Sequence, residues 1–296
     1  MAILDILSYF THCLRLGVIS LVFSSDDWRV KCDCHIAYDK NITIIKKFND
    51  DYYKLVTFNA LRVDGVELDS DHNKAEKGSV NDVKLLNNIS RARNNIFELA
   101  MCNDWDYFVT LTLSPDKLSA LGLDRYDLKT FYKYFSKWIN NLSRDGFKIQ
   151  YLLVPEKHND GAWHFHGFMS GLNPSQLSLF TPDDCLPVYI LRKLNNGDLI
   201  YNWLPYYNKF GFCDFEYIKD QTKCSSYVTK YISKELYRSI NNLGYHCYYC
   251  SQGLKRAERI FKKKVILDND FEYDFSNDYV SVKVLSDVDL QSLGFM

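Results

Sequence analysis

The sequence predicts an α+β fold, a central antiparallel sheet with helices packed on one face. Three observations carry this reading. First, β-branched and aromatic residues concentrate at 107–113 ("YFVTLTL"), 149–156 ("IQYLLVPE") and 163–169 ("WHFHGFM"), as in strands. Second, apolar residues recur at helical spacing in two segments: Leu85, Ile89, Ala92, Ile96 and Leu99, then Leu128, Phe131, Phe135, Trp138 and Leu142. Third, the second and third strands are separated by "HNDGA", a turn by its Asn, Asp and Gly, so they read as a hairpin. Further on, "KCSSYVTKYISKELYRSI" (223–240) reads as a helix with Val228, Ile232 and Leu236 toward the core, and "YHCYYC" as a strand. Residues 170–220 have no clear period, and no internal repeat is present.

The chain has 296 residues, 47% of them hydrophobic, enough to bury a substantial core. Aromatic residues make up 16%, with 22 tyrosines, a composition that suits a large sheet core or the stacking of flat substrates. Formal net charge is −1, so no global basic field points to nucleic acid, and any such reading rests on local patches. The boundaries suggested by composition are an N-terminal extension over 1–80, a main domain over 81–265 and an acidic C-terminal tail over 266–296. Residues 60–80 are polar and lack period, as in a loop or hinge.

Nine scattered cysteines, an odd number, and the lack of a secretory pattern at the start lead us to expect a reducing, cytoplasmic setting. Buried free thiols are the default; a zinc site from Cys32, Cys34, Cys247 and Cys250 is the alternative. The apolar run near residue 20 is far shorter than a bilayer span and is interrupted upstream by Asp5, His12 and Arg15, so a buried helix and strand are expected there, and no membrane anchor.

In "WHFHGF" His164 and His166 are two apart, so on a strand they project to the same face. Two neutral imidazoles at that spacing can hold one divalent ion, or can be two satisfied polar residues on a half-buried sheet. Glu156 ends the preceding strand. If it lies across from either histidine, all three side chains share a face, and the mixed N/O donor set suits Mg²⁺ or Mn²⁺ acting on phosphate, or Zn²⁺. His158 is the competing third ligand and otherwise a turn residue.

Downstream, "YVTKYISK" (227–234) carries Y-x-x-K twice, which places Tyr227 and Tyr231 on one helical face with Lys230 and Lys234 beside them. The plain alternative is an amphipathic helix whose tyrosines border the core. A phenol ionises near pH 10 and is a poor nucleophile without help. A metal ion that polarises a phosphoryl group and a lysine that stabilises the phenolate would supply that help.

On these residues the chain resembles the HUH endonucleases, and within them the rolling-circle replication initiators. "WHFHG" is similar to their histidine motif, "YFVTLTLSP" to their first motif and "YVTKYISK" to their tyrosine motif, in the order histidines first, tyrosines later. Two tyrosines with a lysine between resemble the two-tyrosine branch. "FELAMCNDWDYFVTLTL", "PEKHNDGAWHFHG" and "YYCSQGLKRAE" resemble replication-associated proteins of prophages and mobile elements in Gram-positive bacteria, over about residues 85–260.

The resemblance implies a ferredoxin-like or RRM-like core and Mg²⁺ or Mn²⁺ held by Glu156, His164 and His166. It implies attack by Tyr227 or Tyr231 on DNA to leave a 5′-phosphotyrosine and a free 3′ hydroxyl, with Lys230 and Lys234 assisting. The expected partners are single-stranded DNA or an origin hairpin, and a host helicase and polymerase, since no G-x-x-x-x-G-K-[ST] appears. Candidate nucleic-acid contacts are Thr110 and Thr112 on the first strand, Tyr248 and Tyr249, and Lys255 and Arg256 in a basic stretch that holds six basic residues against Glu258. Rival readings are a HUH transposase, a non-catalytic RRM-like nucleic-acid binder, and a cupin-like metal enzyme. The last is disfavoured because no Glu follows the histidine pair in "GFMSGLNPS".

Overall fold

The computed structural model of the chain describes residues 36–37, 41–59, 62–63, 82–144, 146–232, 246–265, 267, 270–277 and 280–295. The expected N-terminal helix and strand, Cys32 and Cys34, most of the polar segment 60–80, and Lys234 and Leu236 lie outside the described residues. The chain divides into two compact units, one of Met1–Lys46, Tyr53–Lys77 and Arg259–Met296, the other of Lys47–Tyr52 and Gly78–Glu258.

The first unit opens with β1 (Ile36–Ala37), β2 (Ile42–Lys47), β3 (Tyr52–Phe58) and β4 (Arg62–Val63). Burial alternates along β2 and β3, the period of a strand with one covered face.

The second unit holds the elements read from the sequence. Helix α1 (Asp82–Cys102) leads to β5 (Tyr107–Thr112), the short α2 (Pro115–Ala120) and α3 (Leu128–Arg144). The hairpin β6 (Gln150–Lys157) and β7 (Trp163–Ser170) follows. The segment with no clear period forms β8 (Leu177–Leu179), α4 (Val188–Asn195), β9 (Ile200–Trp203), α5 (Leu204–Lys209) and β10 (Cys213–Tyr217). Helix α6 (Gln221–Thr229) comes next, and only Tyr249–Cys250 of "YHCYYC" forms a strand, β11.

The seven strands form one antiparallel sheet in the order β11-β6-β7-β5-β10-β9-β8. Its four central strands, β6-β7-β5-β10, have the interleaved order of a ferredoxin-like core, in which β7 pairs between β5 and β6. The α+β expectation holds, but helices lie on both faces rather than one. On one face Phe165 meets Phe131 of α3, whose Leu128, Phe131, Phe135 and Ile139 form the buried stripe. Each such side chain contributes roughly 2 kcal/mol when fully buried. The opposite face needs a second cover because it is apolar below its polar row: Leu152, Val154 and Phe168 are fully buried there. Phe168 stacks on Trp105, and Phe108 meets Tyr227 of α6 edge-on.

Residues after Glu258 fold with the first unit. Strand β12 (Glu258–Lys264) takes the basic stretch, and the segment expected as an acidic tail supplies β13 (Phe275–Ser276), β14 (Val280–Ser286) and α7 (Asp287–Ser292). Together with β2 and β3 they make a five-stranded sheet, β12-β2-β3-β14-β13. Its core is Ile45, Tyr53, Leu55, Leu285 and Leu290. A capping box, in which Ser286 and Asp289 bond each other's backbone N–H, starts α7.

Candidate functional site: an imidazole and phenol cleft

The β6–β7 hairpin fixes the histidine row. Its tip closes through His158 N–H to the Ala162 carbonyl, with Gly161 at positive φ (86°) where a side chain is disfavoured. Arg125 grips Asp160 at 2.7 Å, and the buried Trp163 donates its indole N–H to the Tyr126 carbonyl. The register that results pairs Glu156 directly with His164, and Val154 with His166. Glu156, His164 and His166 therefore share one face, as the sequence reading required.

Strand β5 lies on the other side of β7, with Thr110 opposite His166 and Thr112 opposite His164. Each hydroxyl sits near its partner's Nδ1, at 3.5 and 3.4 Å. Glu156 Oε2 is 2.8 Å from His166 Nε2, and that bond holds the Glu156 carboxyl below its ordinary value. Burial, then the nearby His158 and His166, push His164 down and favour its neutral ring. The His158 ring stacks on His164 at 4.8 Å.

Helix α6 brings the phenols. Asp220 caps its start by accepting from Lys223 N–H, Gln221 bonds the carbonyls of Ala100 and Asn103, and Arg93 holds the Ile232 carbonyl beyond its end. The expected helix over 223–240 ends as α6 at Thr229. The N–H groups of Lys230, Tyr231 and Ile232 then bond carbonyls three residues back, so the last turn is tightened. Tyr227 and Tyr231 thus meet edge-on (5.6 Å, 81°), with Tyr231 donating its hydroxyl proton to the Tyr227 oxygen at 3.0 Å. Lys230 Nζ lies 3.3 Å from the Tyr227 ring centre and 4.9 Å from that of Tyr231.

These groups line a cleft of about 1210 Å³ with Phe108, Thr110, Thr112 and Tyr189. Lys255 and Arg256 are exposed but are not among its lining residues. Tyr249 is buried and stacked on Tyr132 at 3.9 Å, so its ring is taken up by the core. The structure adds Asp214 and Glu216 on β10, which the sequence reading missed. Their signal was the alternation in "CDFEY", inside the segment that showed no clear period. Asp214 is buried, accepts from the Tyr189 hydroxyl at 3.0 Å, and burial pushes it up to about 6.

The donor set Glu156, His164 and His166 has the chemistry of a divalent site, two imidazoles with Nδ1 beside a hydroxyl and one carboxylate. Its atoms do not converge as a ligand shell, because Glu156 and His166 bond each other. Among the described residues no group of three or more His, Cys, Asp or Glu is arranged to hold an ion, Cys247 and Cys250 included.

Fold and cleft together define an α+β protein with an imidazole row facing two phenols. Residues 106–236, which carry every one of these cleft residues, match the family model of the ORF2 type of replication-associated protein. This part of the chain is similar to replication-associated proteins, and the match supports a role in replication initiation. No curated protein and no solved structure gives a match. Among the described residues no helix is long and apolar enough to cross a membrane.

Proposed function

We propose that the protein is a metal-dependent, site-specific single-stranded DNA endonuclease and strand transferase that initiates rolling-circle replication. The observation that carries this reading is the pair of phenols, linked by a hydroxyl bond and flanked by Lys230, lying over the row of Glu156 and His166.

A tyrosine oxygen attacks the phosphorus, its proton is lost, and the bond from phosphorus to the 3′ oxygen breaks. That oxygen takes up a proton and leaves as a 3′ hydroxyl, while the 5′ phosphate stays on tyrosine. The link keeps the phosphodiester energy, so a free 3′ hydroxyl can displace the tyrosine and rejoin strands. Lys230 stabilises the phenolate. Glu156, His164 and His166 would hold Mg²⁺ or Mn²⁺, which supplies Lewis-acid polarisation of the phosphoryl oxygens.

The charge of the cleft supports the need for a cation. Its carboxylates are Glu156, Asp198, Asp214, Glu216 and Asp220, and its lining lysines are each paired: Lys193 with Glu216, Lys219 with Asp198, Lys223 with Asp220. Among the described residues, a phosphodiester entering this cleft meets no unpaired lining lysine, so a bound divalent ion is the natural counter-charge.

The test is incubation of the full chain with mixed single-stranded oligonucleotides and Mn²⁺, followed by peptide mapping of any covalent adduct. An adduct on Tyr227 or Tyr231 that disappears in the Y227F/Y231F double variant supports the reading. Binding without an adduct favours the non-catalytic nucleic-acid binder, and cutting confined to mobile-element ends favours a transposase.

A further inference from the structure

We propose that Asp214 is a positioning residue that acts through Thr110 to set which ring nitrogen of His166 carries the proton. The inference rests on the proposed function in one respect, that His166 Nε2 is the atom needed by a cation.

Strand register brings the three groups together. Asp214 pairs with Thr110 across β10 and β5, and Thr110 pairs with His166 across β5 and β7, so the three side chains stand in one row. Asp214 is 1% exposed, and no step of the proposed reaction uses it. Its carboxyl accepts the Tyr189 hydroxyl at 3.0 Å, and the Thr110 side chain is a further hydrogen-bond partner. Thr110 Oγ1 lies 3.5 Å from His166 Nδ1.

A threonine hydroxyl has one proton to give. An ionised carboxylate only accepts, so Asp214 draws that proton toward itself. The lone pairs of Thr110 are then left facing Nδ1, which favours the His166 tautomer with its proton on Nδ1. Nε2 keeps its lone pair toward the cleft. Glu156, 2.8 Å from Nε2 on the far side of the ring, pulls the proton the other way. His166 therefore sits between two carboxylates with opposite demands, one direct and one relayed.

The neighbouring row is an internal control. Thr112 faces His164 in the same manner, but the next group on that side is Phe212, whose carbonyl takes the Thr112 N–H. No carboxylate is relayed to His164, so the Thr112 hydroxyl is free to turn its proton to the ring.

The experiment uses the full chain labelled with ¹⁵N-histidine, metal-free at pH 8, where Asp214 is ionised. NMR correlations report the tautomer of each ring, and His164→Asn and His166→Asn variants assign the two signals. We expect His166 to carry its proton on Nδ1 in the wild type and to shift toward Nε2 in D214A and T110V. T110S should restore the wild-type pattern, and His164 should not respond to D214A. Mn²⁺ affinity measured by calorimetry should fall about 10–100-fold in D214A and T110V, as for other loss of outer-shell partners. If D214A does not fold, T110V against T110S decides. An unchanged His166 tautomer in folded T110V overturns the proposal. If the wild type takes up no Mn²⁺, the metal role in the proposed function fails, while the tautomer result still decides the role of Asp214.

Discussion

The ring of Tyr231 lies flat on the imidazole of His166, with centres 3.9 Å apart and planes 6° apart. The stack ties one phenol to the histidine row and leaves the other free to face outward. Tyr227 is 46% exposed, carries Lys230 against its ring and receives the Tyr231 hydroxyl proton. Tyr227 is therefore the better placed first nucleophile, and Tyr231 the group that follows. We expect Y227F to reduce formation of the first covalent adduct by about three orders of magnitude or more. Y231F keeps the stack and should retain the first cut while losing the second. Gel assays of adduct and rejoined product separate the two steps, and equal loss in both variants would sink the division of roles.

The two phenols also differ in acidity. Burial opposes ionisation of Tyr227, but its bonds to Lys230 and Tyr231 outweigh burial and hold it below the usual tyrosine value. Burial and the Tyr227 bond push Tyr231 up. A lowered value means a larger phenolate fraction at a given pH, so cutting should increase with pH and level off below pH 10. Lys230→Met removes the cation and moves the inflection to higher pH. For every pH unit the inflection moves, the phenolate fraction at pH 8 falls about tenfold. Single-turnover rates between pH 7 and 10.5 measure this, and an unmoved inflection in Lys230→Met excludes the role of the lysine.

Gly167, next to His166, is required by close approach of two strands. It pairs with Leu153, and a Cβ built there would overlap the Leu152 carbonyl oxygen. Backbone cannot yield there without opening the β6–β7 ladder that aligns Glu156 with His164. We expect Gly167→Ala to cost about 3 kcal/mol of stability, at the upper end for overpacking, and to reduce adduct formation by disturbing the register. Urea unfolding and the adduct assay report the two effects.

Much of the second unit was legible because its signals are local. Leu128, Phe131 and Phe135 are buried at the spacing that predicts a helix, and the hairpin register followed from an odd loop between Glu156 and His164. Less was legible where a pairing partner lies far along the chain. "VSVKVLS" has the alternation of a strand, but its place beside β3 depends on residues more than 200 positions away, and the acidic composition around it suggested a tail. Asp214 was illegible for a different reason. An acid at 1% exposure runs against the usual solvation cost, and only the cross-strand neighbours Thr110 and Tyr189 make its place intelligible.

That cost should be visible as a pH dependence of stability. Burial raises Asp214 from the ordinary 3.8 to about 6. A carboxyl raised on folding stabilises the native state fully below its unfolded value, and the contribution is lost as pH rises through the folded value. A change from 3.8 to about 6 corresponds to about 3 kcal/mol. The window is therefore pH 4 to 6, with no further change above about pH 7. D214N does not titrate, keeps an acceptor for the Tyr189 hydroxyl and has nearly the same volume. Its stability relative to the wild type should increase by about 3 kcal/mol between pH 4 and pH 7, measured by urea unfolding at a series of pH values. A difference that stays constant across that window would show that Asp214 is ionised in the folded protein at all these pH values, held by Tyr189 and Thr110 more strongly than burial opposes it.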